Sequence, residues 1–328
     1  MSEDIHAIQV RYKLSPATMK VISTIPRAPD RQQILHKACL ASELRPFPLT
    51  QPERSFFHEI NDHTAIPYTI KESLTQPWHK VFLLVQIELL RTGWPNKISA
   101  AARKKLYQDL GKMLVLLDRI LRCVIDLLGL RRDGRGINTA LDVLRSIRSR
   151  VWEGSGRELL LVDGIGLAKL DRLSRAGIRT IRQVQQLDFF HIERLLSRNP
   201  PFGHQLLEQL AGFPRLVCQF ESIRRAGPSE LAQGESSPPN LCSWICRAVL
   251  RYDNERPPFW KKDNPWVTLV IAGDDGRLLW FWRGRVEKLR DGKDLVMSLQ
   301  TRSGEKIEIK LACEDIVGSM VGMTHQMP

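Results

Sequence analysis

The 328-residue sequence contains no Gly-x4-Gly-Lys-Ser/Thr loop, no Asp-Glu-x-His/Asp box, no Gly-x-Ser-x-Gly turn and no Cys-x-x-Cys. Gly111-Lys112 and Gly292-Lys293 lack both the earlier glycine and the following hydroxyl of a phosphate-binding loop, so P-loop ATP hydrolysis has no residues to perform it here. Without a Gly-x-Ser-x-Gly elbow there is no signature of an esterase-type nucleophile. Six cysteines, at 39, 123, 218, 242, 246 and 313, are scattered, and only Cys242 and Cys246 lie close in sequence. That spacing suits reduced, buried thiols in an intracellular protein rather than a disulfide framework. His36 and Cys39 share a helix face, but no second pair completes a zinc site. Aromatic residues are sparse, at 7%. The most apolar run, Val81 to Leu90, is interrupted by Gln86 and Glu88 and is too short for a bilayer. The opening MSEDIHAIQV lacks the basic-then-apolar order of a signal peptide. A soluble protein without membrane partners is expected.

Acidic residues are also short in supply. Forty-nine Lys+Arg against 36 Asp+Glu leave a formal charge of +13. An excess of this size attracts polyanions, of which nucleic acid is the commonest.

Hydrophobic patterning divides the chain. Prolines 16, 26, 29, 46, 48, 52 and 67 punctuate residues 1–75 into short helices, with Arg31–Leu40 and Glu53–Ile60 the clearest. Trp78–Arg91 reads as a heavily buried helix. Between Ala101 and Leu128, residues Leu106, Leu110, Met113, Leu114, Leu117, Leu121, Val124 and Leu128 keep the three-and-four spacing of a long amphipathic helix. After a loop at 131–136, Ile137–Val151 turns Ala140, Leu141, Leu144 and Ile147 inward. Such helices joined by short loops make a bundle. Beyond Phe213-Pro214 the period becomes strand-like, at Leu216–Ser222, Trp244–Tyr252, Trp266–Ile271, Leu278–Trp282, Asp294–Leu299 and Lys306–Leu311. Asp274-Asp275-Gly276 and Ser303-Gly304 are hairpin turns between them. The expected class is α+β: residues 1–156 a helical bundle, 157–214 a helix–hairpin–helix region, and 215–328 an immunoglobulin- or fibronectin-like β-sandwich with a flexible insertion at 226–240.

The most informative stretch is Leu159–Leu187. A first helix ends at Val162-Asp163, Gly164-Ile165-Gly166 turns tightly, and a second helix starts near Leu167. That helix turns Leu170 and Leu173 inward and stops at Gly177; another follows Thr180, a good N-cap. Glycines flanking one apolar residue permit the sharp turn while Ile165 plugs the space between helices. N–H groups of the turn and of the following helix N-terminus can then converge on one phosphate oxygen. Lys169 and Arg172 lie one and two turns further on. Gly164, Ile165, Gly166, Lys169 and Arg172 are therefore candidate nucleic-acid contacts, and Arg145 and Arg148, with Arg131, Arg132, Arg135 and Arg150, could extend the face. The competing readings are a hairpin that only packs helices, and arginines that line the solvated side of a helix or the surface that once faced a missing motor. A second copy around Gly203 repeats the leucine spacing through Leu207 and Leu210, but Pro201 replaces the first glycine and has no N–H; it reads as structural. Trp280 and Trp282 share one strand face, as sandwich core or, on a sharper reading, as a base-stacking surface.

Val162-Asp163-Gly164-Ile165-Gly166 resembles the helix–hairpin–helix family. The order of bundle, hairpin and sandwich resembles the Sec-sixty-three homology unit of Ski-two-like helicases. Ser197-Arg198-Asn199-Pro200-Pro201-Phe202-Gly203, Pro77-Trp78-His79-Lys80-Val81 and Arg150-Val151-Trp152 are similar to strings of the meiotic crossover branch, the Mer-three or HFM family. Tyr12 with Thr18-Met19-Lys20 resembles the segment where that unit leaves a winged helix, and Cys313–Gly318 resembles a late strand of its β domain. The resemblance implies a nuclear accessory unit of an ATP-dependent DNA helicase of meiotic recombination. Its implied partners are single-stranded or branched DNA, helicase motor domains in cis and recombination proteins. No cofactor falls to this chain, since ATP and magnesium would belong to motor domains. Two alternatives stand beside it: a protein-interaction scaffold, like the docking copy of this unit in the spliceosomal RNA helicase, and a helicase fragment with ATPase activity of its own.

Overall fold

The computed structural model describes residues 4–226, 241–261 and 263–328. Of the expected insertion only Ala226 is described; its N–H donates to the Ser243 carbonyl, and 227–240 lie outside the described residues. By chain contacts the protein forms two compact units, one of residues 1–131, 136–161 and 165–171, the other of 132–135, 162–164 and 172–328.

The first unit is helical. It contains α1 (Ile5–Tyr12), α2 (Pro16–Ile22), α3 (Arg31–Cys39), α4 (Arg54–His63), α5 (Pro77–Leu90), α6 (Ala100–Leu130) and most of α7 (Gly134–Ser149). Local chemistry sets the starts: Asp30 and Gln33 close a capping box on α3, and the Ser99 side chain accepts the Ala102 N–H of α6. At α5 the Nδ1 of His79 accepts the N–H groups of Thr75 and Gln76 at 2.9 and 3.1 Å. That leaves the proton on Nε2, which donates to Glu72 at 2.8 Å. α5 is buried on nearly every side, as its heavily apolar sequence anticipates, and all eight apolar positions expected to face inward on α6 are buried. Lys80 reaches into this core, where its Nζ lies 2.8 Å from the buried Glu53 carboxylate. Tyr12, on α1, donates to Asp126 at 2.6 Å, and Thr18, on α2, bonds Glu43, so the resembling N-terminal residues fasten the first helices to the bundle.

The second unit begins with short helices: α9 (Ile181–Gln185), α10 (Phe189–Leu196) and α11 (Phe202–Ala211), while α8 (Leu167–Arg175) is divided between the units. Thr180 caps α9, and Asp188 caps α10 through the His191 N–H at 2.8 Å. Among the described residues seven antiparallel strands follow: β1 (Leu216–Arg225), β2 (Cys242–Tyr252), β3 (Trp266–Ala272), β4 (Leu278–Arg285), β5 (Lys293–Thr301), β6 (Lys306–Cys313) and β7 (Val321–Gln326). They form sheets of order β1-β2-β5 and β4-β3-β6-β7. The two sheets meet where β1 touches β6 and β7, and where β4 touches β5. Cys246, Ala248, Met297, Leu299, Leu269, Ile271, Ile309 and Leu311 are all buried. The expected α+β class is borne out.

Three local expectations need correction. Residues 158–161 form a 3₁₀ turn, not an α-helix running to Asp163. Leu159, Leu160, Leu161 and Val162 are all buried, and between Gly156 and Gly164 there is too little chain to repay helix nucleation. α7 starts at Gly134, inside the expected loop. The glycine is required there by close approach, since a Cβ would lie 2.9 Å from the Ala272 Cβ. Of Cys313–Gly318 only Cys313 belongs to a strand, and the final strand is β7. Trp280 and Trp282 pair with the fully buried Ile271 and Leu269, and so share the sandwich-interior face. They are only half-buried, because β4 is an edge strand.

Candidate nucleic-acid interface

The glycine turn has the backbone that its sequence demands. Gly164 sits at φ +85, a left-handed conformation that side chains with a Cβ rarely adopt. A Cβ there would also meet the Phe202 ring at 3.4 Å. Ile165, between the two glycines, is 5% exposed. The Gly166 carbonyl accepts the Leu170 N–H at 2.9 Å, which makes Gly166 the N-cap of α8. An α-helix leaves the N–H groups of its first turn without intrahelical acceptors and carries a partial positive charge there. In α8 that turn begins with Leu167 and Ala168, both exposed, with Leu167 46% exposed at the tip. Lys169 follows, half-buried.

α8 ends as anticipated. Gly177, at φ +79, donates to the Ser174 carbonyl at 3.0 Å, and Ile178 donates to the Leu173 carbonyl at 2.9 Å. These are the two bonds of a Schellman cap, and the accompanying apolar pair, Ile178 and Leu173, is buried. The helix is thus fixed at its far end while its N-terminus faces outward.

The arginines separate into different roles. Arg172 uses one Nη1 to cap α10, donating to the Leu196 carbonyl at 3.2 Å and to the Ser197 hydroxyl at 3.0 Å. Arg145, expected at the interface, is 2% exposed. Its Nε donates to Glu153 at 2.7 Å and its Nη2 pairs with Asp142. A guanidinium held between two carboxylates in the bundle interior has no face to offer a phosphate, so Arg145 leaves the candidate site. Asp142, three residues earlier on the same helix, was the available sequence signal; Glu153, beyond the helix end, gave none. Arg131 is likewise engaged, capping α2 through the Ile25 and Ser23 carbonyls at 2.7 and 2.6 Å. Arg148 stays exposed on α7, its Nε 3.9 Å from Asp118. Arg150 pairs with Glu88 at 3.4 Å, while Arg132 and Arg135 are exposed.

The second copy is closed to anions. Gly203 donates its N–H to the Glu193 carboxylate at 2.9 Å in a buried setting, so this donor is already taken by an internal anion. A Cβ at Gly203 would lie 2.3 Å from the Phe189 carbonyl oxygen, so this glycine serves close helix packing.

The other sequence candidates are structural. His36 packs edge-on against Trp78 with centroids 4.7 Å apart, and burial followed by the Lys37 charge lowers its pKa. Cys39 is buried, and desolvation pushes its thiol far upward, away from the thiolate form a metal requires. Among the described residues one acidic group draws together, Asp274, Asp275 and Glu305. Arg277 bridges Asp275 and Glu305 at 3.0 and 2.6 Å, and Arg302 bridges Asp274 and Asp275 at 3.3 and 2.9 Å. Two guanidinium groups therefore meet the charge that a cation would need. No described helix is long and apolar enough to cross a membrane.

Helical bundle, glycine turn opening a helix, short capped helices and a three-plus-four-stranded β domain together define a two-unit α+β protein in which the first turn of α8 is exposed. The Sec63 Brl domain family matches residues 2–327, and the chain belongs to that family. It is 25% identical over 319 residues to the ATP-dependent DNA helicase MER3 of Saccharomyces cerevisiae, covering 94% of this chain and 26% of that protein. To the probable ATP-dependent DNA helicase HFM1 of Xenopus tropicalis it is 22% identical over 307 residues, covering 92% of this chain and 21% of the relative. To the human probable ATP-dependent DNA helicase HFM1 it is 23% identical over 176 residues, 53% of this chain and 12% of that protein. The chain spans about a quarter or less of the length of these relatives.

Proposed function

We propose that this chain is a nuclear accessory unit that works beside a helicase motor of the meiotic recombination type. It holds the backbone of single-stranded or branched DNA at the N-terminus of α8 and does not hydrolyse ATP itself. The observation that carries the reading is the turn: Gly164 keeps a backbone that only glycine adopts readily, directly before a helix whose first turn faces outward. Family membership over nearly the full length, with relatives named as DNA helicases, supplies the context. The seven strands fit an immunoglobulin-like sandwich, because β1-β2-β5 and β4-β3-β6-β7 divide sequential strands between two sheets as that fold does. Helicase motor domains in cis and recombination proteins are the partners this reading implies. Backbone N–H donors position DNA without reading its sequence. Binding is therefore expected to be indifferent to base order and to weaken steeply with salt.

The test is fluorescence anisotropy with single-stranded and forked DNA at two salt concentrations. It compares wild type with Gly164→Asp/Lys169→Glu and with Lys169→Glu alone, each first shown to keep the wild-type circular dichroism. Loss of affinity with a shallower salt dependence supports the clamp. Equal binding by all three proteins, or by none, replaces it with the scaffold reading.

A further inference from the structure

The residues behind the glycine turn come from a part of the sequence that the hairpin motif does not include. α10 ends at Leu196, and Ser197 takes a left-handed backbone at φ 51. The next N–H, of Arg198, returns to the Glu193 carbonyl at 2.9 Å, so the helix end fixes where Arg198 leaves the chain. Glu193 also accepts the Gly203 N–H through its side chain, which pins the far end of the 198–203 segment to the same helix. Arg172 of α8 holds that corner too, donating to the Leu196 carbonyl and the Ser197 hydroxyl. Within this braced loop the Phe202 ring lies against Gly164, at the 3.4 Å that a Cβ would find. The Arg198 guanidinium lies over the same ring, 5.3 Å from its centroid. Phe202 thus touches the glycine turn and carries a cation.

We propose that Arg198, held on Phe202 against Gly164, is a second ligand for the DNA backbone. This rests on the phosphate-clamp reading of the α8 N-terminus. Three features favour it. Arg198 is exposed, and a guanidinium over an aromatic ring engages that ring through its charge and keeps its N–H donors for another partner. Restricting a flexible side chain before binding lowers the entropy lost on contact. Arg172 is tied to Ser197, which makes the neighbouring arginine the better placed cation for an incoming anion. Phe202 is a positioning residue in this scheme, since it acts on DNA only through Arg198.

Anisotropy titrations with a single-stranded oligonucleotide across a salt series read the proposal directly. On a single strand each phosphate contact contributes about 0.7 to the slope of log affinity against log salt. Arg198→Gln is expected to reduce that slope by about 0.7 and weaken binding about five- to ten-fold. Arg198→Lys keeps the charge without the planar stack and is expected to retain the slope while losing part of the affinity. Phe202→Leu is expected to resemble Arg198→Lys, with the fold checked by circular dichroism. If Lys169→Glu weakens binding while Arg198→Gln matches wild type in slope and affinity, the second ligand is refuted and the clamp stands. If Arg198→Gln lowers the slope while Lys169→Glu has no effect, the Arg198 contact stands and the turn is not the clamp. If neither changes anything, both are refuted.

Discussion

Replacing Arg145 distinguishes a buried strut from a DNA contact. Arg145 is 2% exposed, and its Nε lies 2.7 Å from Glu153, a residue that is itself 8% exposed. Truncation to alanine would take the guanidinium partner from the Glu153 carboxylate in the bundle interior. Removing one partner of a buried pair costs about 3–5 kcal/mol, because the remaining charge is left without compensation. Asp142 suffers less, since it is more exposed and keeps Arg31 at 2.9 Å. With a denaturant slope of roughly 2–3 kcal/mol/M, the urea midpoint of the helical unit should fall by on the order of 1–2 M. Substituting both partners, Arg145→Met with Glu153→Leu, removes the charge together with its demand and should recover most of the loss. Arg148→Ala provides the contrast: an exposed side chain 3.9 Å from Asp118 is worth at most about 1 kcal/mol. Urea titrations followed by tryptophan fluorescence and circular dichroism measure all four proteins. The reasoning is refuted if Arg145→Ala unfolds like wild type and instead lowers the salt slope of DNA binding.

Two glycines test packing in opposite senses. Gly203→Ala must displace backbone, with its Cβ 2.3 Å from the Phe189 oxygen, and should cost about 2–3 kcal/mol in urea. Gly111→Ala, inside α6 with nothing within 4 Å, should stabilise by about 0.5–1 kcal/mol; stabilisation by Gly203→Ala would contradict the packing described. Burial raises Cys123 to about 12 and Cys218 and Cys246 to about 11. Alkylation of the native protein at pH 8 should therefore begin at the half-buried Cys242, and mass spectra showing Cys123 labelled first would overturn this. Burial alone would raise the Glu53 carboxyl, but hydrogen bonds from Lys80 and Thr50 outweigh it and hold it below its ordinary value. The folded value lies under the unfolded one, so this stabilisation is complete above about pH 5 and disappears as pH falls through the folded value. Glu43, Asp275 and Glu305 shift in the same direction. Urea midpoints should hold from pH 7 to about 5 and fall below about 4; an unchanged midpoint at pH 3 would refute the sign.

Period and capping chemistry made most elements legible in the sequence. The leucine spacing of α6, the Thr180 cap and Gly177 each rest on interactions within a few residues, and each appears where expected. Strand β7 was missed because Val321, Met323 and His325, which alternate inward, share the segment with Gly322 and Thr324 and make a weak apolar pattern. The arginines were the least legible. Arg145 and Arg148 sit three residues apart on one helix and look alike in sequence, yet one meets Glu153 across a helix end and the other faces outward. Phe202 and Arg198 lie more than thirty residues beyond the turn they support, and no local signal joins them to Gly164.

The central claim is that backbone N–H groups opening α8 hold a phosphate. Amide hydrogen exchange, read by mass spectrometry with and without single-stranded DNA, observes those groups themselves. The account predicts slowed exchange in a peptide covering residues 163–170 when DNA is added, reversed by high salt and absent in Gly164→Asp. Protection confined to other segments, with 163–170 unchanged at saturating DNA, would contradict it.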